Sequence, residues 1–127
     1  MNLITLLVDD NAVQAATRKA ILERAGQRVL VAQDGGYALL LLEDPELFNR
    51  VGLVVTDHLM PEMNGAELVR ELRAILPTLP ILVLSGLPNV EEEYRGMGVV
   101  FRSKPFPPDA LIALTRQMLD EPMGRIA

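Results

Sequence analysis

Residues 52–77 read GLVVTDHLMPEMNGAELVRELRAILP, and most of the fold follows from them. Gly52–Thr56 is a short, nearly unbroken apolar run, the pattern of a strand covered on both faces. It ends on a carboxylate, Asp57. Met60-Pro61-Glu62-Met63-Asn64-Gly65 then forms a turn whose shape Pro61 and Gly65 restrain. From Gly65 to Leu76 the spacing is helical: Leu68, Val69, Leu72, Ile75 and Leu76 share one stripe, with Glu67, Arg70, Glu71 and Arg73 opposite. Pro77 ends the helix.

The same strand-then-helix unit recurs on both sides. Apolar runs lie at Leu3–Val8, Arg28–Ala32, Pro80–Leu84 and Val99–Phe101. A helix is predicted over Asn11–Ala25, capped by Asp10 or Asn11, with Gly26 just past its end and Val13, Ala16, Ala20 and Ile21 toward the sheet. Gly36–Glu43 is short and apolar almost all round through the leucines at 39–42, bounded by Asp44-Pro45. The last helix begins near Pro107-Pro108 and presents Leu111, Leu114 and Met118 inward. Helical signal is weakest between Ser85 and Val99, where Asn89–Gly96 has room for about two turns. Five βα units of this kind, joined by short right-handed crossovers, favour an α/β architecture: an open, doubly wound parallel sheet, (βα)5, with helices on both faces. Ligands of such sheets bind beyond the carboxyl ends of the strands, where the strand order reverses.

Composition narrows the function classes. The 127 residues fit one domain, 1–127, with a core over about 3–119 and a tail at 120–127. Half the residues are hydrophobic and 23% charged, which excludes intrinsic disorder. Twelve Lys+Arg against 17 Asp+Glu, a net charge of −5, argue against a nucleic-acid surface. The absence of cysteine excludes disulfides, thiolate metal sites and a Cys nucleophile. No apolar stretch approaches the ~18 residues of a membrane span, and Met1-Asn2-Leu3-Ile4 lacks the basic start of a signal peptide. The expectation is a cytoplasmic domain that binds neither nucleic acid nor membrane.

Polar residues gather at the predicted strand ends: Asp9-Asp10, Asp57, Ser85-Gly86 and Lys104-Pro105. In a parallel sheet all four ends open on one edge, so three carboxylates crowd a crevice beside a hydroxyl and an ammonium. Like charges this close are relieved by raised pKa values or by a bound cation. Clustered oxygens without His or Cys suit a hard ion, Mg²⁺ for phosphate chemistry, with Mn²⁺ as a substitute. Ser85 and Lys104 suit a tetrahedral oxyanion, and a carboxylate is a competent phosphoryl acceptor.

Taken together, Asp9-Asp10, Asp57 to Gly65, Ser85-Gly86 and Lys104-Pro105-Phe106 resemble the response-regulator receiver domain of two-component signalling, with its flavodoxin-like sheet in strand order 2-1-3-4-5. The resemblance spans about Leu3 to Leu119 and is carried by four motifs in the right order. It implies that Asp57 is the phosphoacceptor and that Asp10 and Asp57 ligate Mg²⁺ directly. Asp9 would act through water, and the backbone carbonyl of Leu59 would complete the protein's share. Ser85 would be the switch hydroxyl, Lys104 the phosphoryl-pairing lysine, Pro105 the second residue of a cis peptide and Phe101 the switch aromatic. Gly86 would leave the phosphoryl pocket open. The donor would be a sensor histidine kinase or a histidine phosphotransfer protein, and the domain would promote only its own modification rather than act as a conventional enzyme.

Blander readings attach to several of these residues. Asp9-Asp10 alone could be a helix cap, Phe101 can be core as well as switch, and Glu91-Glu92-Glu93 reads as a solvated helix start. His58 follows the acceptor on a loop and is assigned no catalytic role. Lys104 is one of two lysines in a chain that otherwise uses arginine. Two rival functions share the residues: a pseudo-receiver that binds partners without phosphorylation, and a metal-dependent phosphohydrolase with an Asp nucleophile. The hydrolases carry Asp-x-Asp after the first strand, whereas here Asp9 and Asp10 are adjacent. A Gly-rich dinucleotide turn is excluded by Asp9-Asp10-Asn11-Ala12.

The segment from Ser85 to Phe101 is a few residues shorter than is usual in the family, so the fourth helix should be short or irregular. That changes the face of fourth helix, fifth strand and fifth helix through which a homodimer would form. Leu59 and Leu87 occupy the positions that modulate water access to an acyl phosphate in such domains. Two apolar side chains there predict slow self-dephosphorylation. The acyl phosphate of the wild type should outlive that of Leu59→Asn, read by the decay of phosphoprotein after donor removal.

Overall fold

The computed structural model describes residues 3–120, so most of the tail expected at 120–127 lies outside the described residues. Five parallel strands, β1 (Ile4–Val8), β2 (Arg28–Ala32), β3 (Val51–Asp57), β4 (Ile81–Ser85) and β5 (Val100–Ser103), form one sheet in the order β2-β1-β3-β4-β5. The doubly wound, flavodoxin-like arrangement expected from the sequence is the one observed. Each strand's side chains alternate between two cores, because successive residues point to opposite faces. Leu6, Val8, Val54, Ile81 and Val83 join the core under α2 (Gly35–Leu41) and α4 (Gly65–Ile75). Leu7, Leu53, Val55, Leu82 and Leu84 join the core under α1 (Ala12–Arg24) and α5 (Pro108–Asp120), with Leu111, Leu114 and Met118 packed inward as anticipated.

Two local features depart from the sequence reading, and a third bears it out. The leucine-rich helix ends at Leu41, and a further short helix, α3 (Pro45–Arg50), follows it. Asp44-Pro45 is a start as well as a stop: the Asp44 side chain accepts from the Glu46 amide at 2.9 Å, and proline occupies the first turn. The rotation of α1 also differs. Val13 is 77% exposed and Ala16 and Ala20 are exposed, while Ala15 and Leu22 are buried. Apolar residues surround this helix, so its hydrophobic pattern sets the rotation weakly, and polar contacts described below decide it. The fourth helix, expected to be short or irregular, is a single 3-10 turn at Glu91–Tyr94, with Glu91, Glu92 and Glu93 exposed.

A short helix there leaves loops to be tied down, and Arg73 does so from the end of α4. Its guanidinium donates to the carbonyls of Leu76 (3.2 Å), Leu79 (2.8 Å), Met97 (2.8 Å) and Gly98 (3.1 Å). Burial pulls its pKa below the ordinary arginine value. Replacing it would leave four carbonyls without this donor. Arg73→Met should lower unfolding stability by about 2 kcal/mol, the scale of lost charge-assisted hydrogen bonds. Arg70→Met, on the exposed side of the same helix, should stay near wild type in the same urea titration.

Candidate functional site

Asp57 ends β3 and Asp9 follows β1, and these strands are neighbours in register, Val8 opposite Thr56. The pairing brings two carboxylates, each 2% exposed, to the same point of the sheet edge. Ser85, at the end of β4, is buried beside them, and its Oγ accepts from the Leu87 amide at 3.1 Å. Lys104 directly follows β5 and precedes a cis peptide to Pro105, and its amide donates to the Ser85 carbonyl at 2.8 Å. Its ammonium lies 3.0 Å from Asp57 Oδ1. The four strand ends thus converge as the parallel sheet requires.

Helix α1 contributes two residues that the sequence reading missed. Asn11 caps it, accepting from the Gln14 amide at 2.9 Å, and the Asn11 amide donates to Asp9 Oδ1 at 2.9 Å. This start turns Gln14 and Arg18, one helical turn apart, toward the acids. Gln14 Nε2 donates to Asp9 Oδ2 at 2.9 Å and to Asp57 Oδ2 at 3.0 Å. Arg18 Nη1 bridges Asp9 Oδ2 at 3.2 Å and Asp57 Oδ1 at 3.0 Å, with its side chain only 11% exposed. Asn11, Gln14 and Arg18 at i, i+3 and i+7 were a legible polar stripe, but polar residues on a surface helix read by default as its solvent side.

Asp10 stands apart. It is exposed, and the cap of α1 is Asn11. Among the described residues, no three His, Cys, Asp or Glu side chains form a ready-made ion cage. The ligand set expected from the resemblance, Asp10 with Asp57 and Asp9, is therefore preassembled only as the Asp9–Asp57 pair. The pair itself fits a hard cation, since both carboxylates already converge on one positive nitrogen. Burial, then the shared proton and charge of Asp57, push the Asp9 carboxyl up to about 6, against the opposing donors Asn11 and Gln14.

Around the pair, Gly65 and Gly86 behave differently. A Cβ on Gly65 would sit 2.8 Å from the Asp57 carbonyl oxygen and 2.9 Å from His58 Cα, so only glycine lets α4 start this close to the end of β3. A Cβ on Gly86 would meet only the Lys104 Cβ at 3.9 Å, an ordinary contact. Space alone therefore does not demand glycine at 86. The Leu59 side chain is exposed, as is Pro61 in the turn.

Phe101 is half-buried, its ring 5.6 Å from that of Tyr94. Tyr94 comes from the 3-10 turn and is buried, and its hydroxyl lies 2.6 Å from His58 Nδ1. Burial, with Glu93 nearby, pushes the phenol above its ordinary pKa. His58 is thus a buried packing and hydrogen-bonding partner at the end of β3. No feature of its single occurrence in the sequence signals this. Tyr94, Phe101 and Ser103 line an open groove of about 590 Å³, together with Leu87, Pro88 and Val99.

With this geometry in hand, comparison with known proteins is informative. Residues 5–116 match the family described as response regulator receiver domain. The response regulator MprA of Mycobacterium sp. strain KMS is 37% identical over 119 residues, covering 91% of this chain and 50% of that protein. The chain thus spans about half the length of the curated relatives it matches first. A response regulator receiver protein from Pseudomonas putida is 32% identical with a TM-score of 0.83, covering 92% of this chain and 98% of the other. The receiver domain of a signal transduction histidine kinase from Syntrophus aciditrophicus is 29% identical with a TM-score of 0.83, covering 96% and 92%. The chain belongs to the response regulator receiver family of two-component signalling.

The raised Asp9 pKa has a measurable consequence. Between its ordinary 3.8 and about 6 the folded protein holds a proton that the unfolded chain releases. Its stabilising contribution is therefore complete below that window and is lost as pH rises through about 6. Urea titrations in EDTA should show stability falling across this range in the wild type, and falling less in Asp9→Asn.

Proposed function

We propose that this member of the receiver family accepts a phosphoryl group on Asp57 from a phosphohistidine of a sensor kinase or phosphotransfer protein. The observation that carries the reading is the buried Asp57 carboxylate with the Lys104 ammonium 3.0 Å from Oδ1 at the open edge of the sheet. An Asp57 oxygen would attack phosphorus, the P–N bond to the imidazole would break, and the imidazole would leave with a proton from solvent. Such transfer asks mainly for in-line positioning and neutralisation of the equatorial oxygens. Lys104 and the Ser85 hydroxyl would bind the incoming oxygens. Asp10, Asp57 and the Leu59 carbonyl, with Asp9 acting through water, would hold Mg²⁺, which supplies further neutralisation of that charge. Mn²⁺ would serve in its place.

The modification would shift an equilibrium between two conformations through Ser85 and Phe101. A near-complete switch needs about 5.5 kcal/mol of differential stabilisation, and a dianion newly paired with Lys104 and Ser85 is a source of that order. Tyr94 and His58 extend the path from Phe101 back to the residue after the acceptor. The reading supports a cytoplasmic domain whose only catalysis is of its own phosphorylation and loss of phosphate. It also allows pairing of two copies through the face of the 3-10 turn, β5 and α5. None of the described helices is long and apolar enough to cross a membrane.

Incubation with acetyl phosphate and Mg²⁺ should add the mass of one phosphoryl group, mapped by peptide mass spectrometry to Asp57. Asp57→Asn should abolish the adduct, and Lys104→Ala should reduce its yield at least tenfold. No adduct on the wild type would favour the pseudo-receiver, and an adduct elsewhere would overturn the assignment of Asp57.

A further inference from the structure

We propose that Arg18 is a resident counter-cation that competes with the divalent ion for the acidic pair, so that metal loading requires the guanidinium to swing out. The inference rests on the reading of Asp57 as an Mg²⁺-assisted acceptor and adds a regulatory element to that site.

All four oxygens of the pair are already engaged. Asp9 Oδ1 takes the Asn11 amide, Asp9 Oδ2 takes Gln14 and Arg18, Asp57 Oδ1 takes Arg18 and Lys104, and Asp57 Oδ2 takes Gln14. Arg18 Nη1 stands 3.2 and 3.0 Å from one oxygen of each acid. An ion on Asp57 at the ~2.1 Å typical of Mg²⁺, with Asp9 reached through a water, would crowd this nitrogen, which already bridges the two acids, and share its charge sign. The formal charges point the same way. Two carboxylates face two cations, Arg18 and Lys104, so the pocket is balanced as it stands. A divalent ion added beside both would leave an excess of two positive charges among nearly buried groups, which is strongly unfavourable. With Arg18 removed and Asp10 drawn in, three carboxylates would balance the metal and Lys104.

The guanidinium has somewhere to go. A cavity of about 590 Å³ opens beside it between α1 and the start of α5, lined by Gln14, Thr17, Arg18, Ile21, Lys104 and Phe106, among others. Rotation about the long Arg18 side chain would carry the charge into this cleft without moving the helix. The device makes a prediction opposite in sign to a merely structural role. Loss of a structural residue would weaken metal binding, whereas loss of a competitor tightens it. If Arg18 occupies the pair about nine-tenths of the time, the apparent metal affinity is lowered about tenfold.

Calorimetric titration of Mg²⁺ into the full chain, without phosphodonor, tests this with Arg18→Gln and Arg18→Met. Both should bind Mg²⁺ about tenfold more tightly than the wild type. Both should also melt lower than the wild type in EDTA and recover more on adding Mg²⁺. A variant unfolded in EDTA should regain its helical circular dichroism in millimolar Mg²⁺; failure to do so counts against the proposal. Equal or weaker Mg²⁺ binding in the variants, with a normal phosphoryl adduct on wild-type Asp57, would sink the role of Arg18 and leave the acceptor reading standing. No Mg²⁺ binding by any of the three chains, with no adduct on the wild type, would overturn both.

Discussion

Two carboxylates held side by side out of water govern this molecule. Asp9 and Asp57 are neighbours because β1 and β3 are parallel and in register, so the sheet forces their charges together at its edge. Burial strengthens their repulsion and removes the water that would screen it. Positive groups must therefore be close, and two arrive, Lys104 from the end of β5 and Arg18 from α1, joined by the neutral donor Gln14 from one turn earlier on α1. Burial first, and the neighbouring Asp57 after it, raise the Asp9 pKa to about 6.

The rest of the fold makes that arrangement rigid. Two apolar cores on the two faces of the sheet fix the strand ends, and Gly65 lets α4 begin directly against the Asp57 backbone. Asn64 and Glu67 cap that helix reciprocally, each side chain accepting from the other residue's amide at 2.9 Å. Beyond Asp57 the short connection between β4 and β5 supplies one 3-10 turn. Its Tyr94 fills the space against His58 and Phe101. The aromatic path from Phe101 toward β3 is thus built from a residue that a longer helix would place differently.

Much of this was legible in the residues. The nearly unbroken apolar runs and the helical stripe of residues 65–76 specify a parallel α/β sheet, because only burial on both faces tolerates strands such as Leu53 to Thr56. Asp9, Asp57, Ser85 and Lys104 follow from that topology, since each sits at the end of an apolar run. What escaped were groups whose roles depend on rotation and on distant partners. Arg18 and Gln14 lie on a helix with apolar residues all round, and Val13, Ala16 and Ala20 offered an equally plausible inward face. Tyr94 and His58 are 36 residues apart and meet only through the packing of the 3-10 turn.

By itself, then, the order of apolar runs, turns and acidic tips determined a doubly wound parallel sheet and the set of residues at its edge, because right-handed crossovers and burial on both faces allow few other architectures, while the strand order came with the receiver resemblance. Tertiary structure alone decided the charge partners of that set. Electrostatic contact between buried groups depends on distances of a few ångströms, and those are settled by helix rotation and loop packing rather than by local sequence. That is why Asp10, adjacent in the chain to Asp9, stands exposed, while Arg18, which the chain places 39 residues from Asp57, touches it.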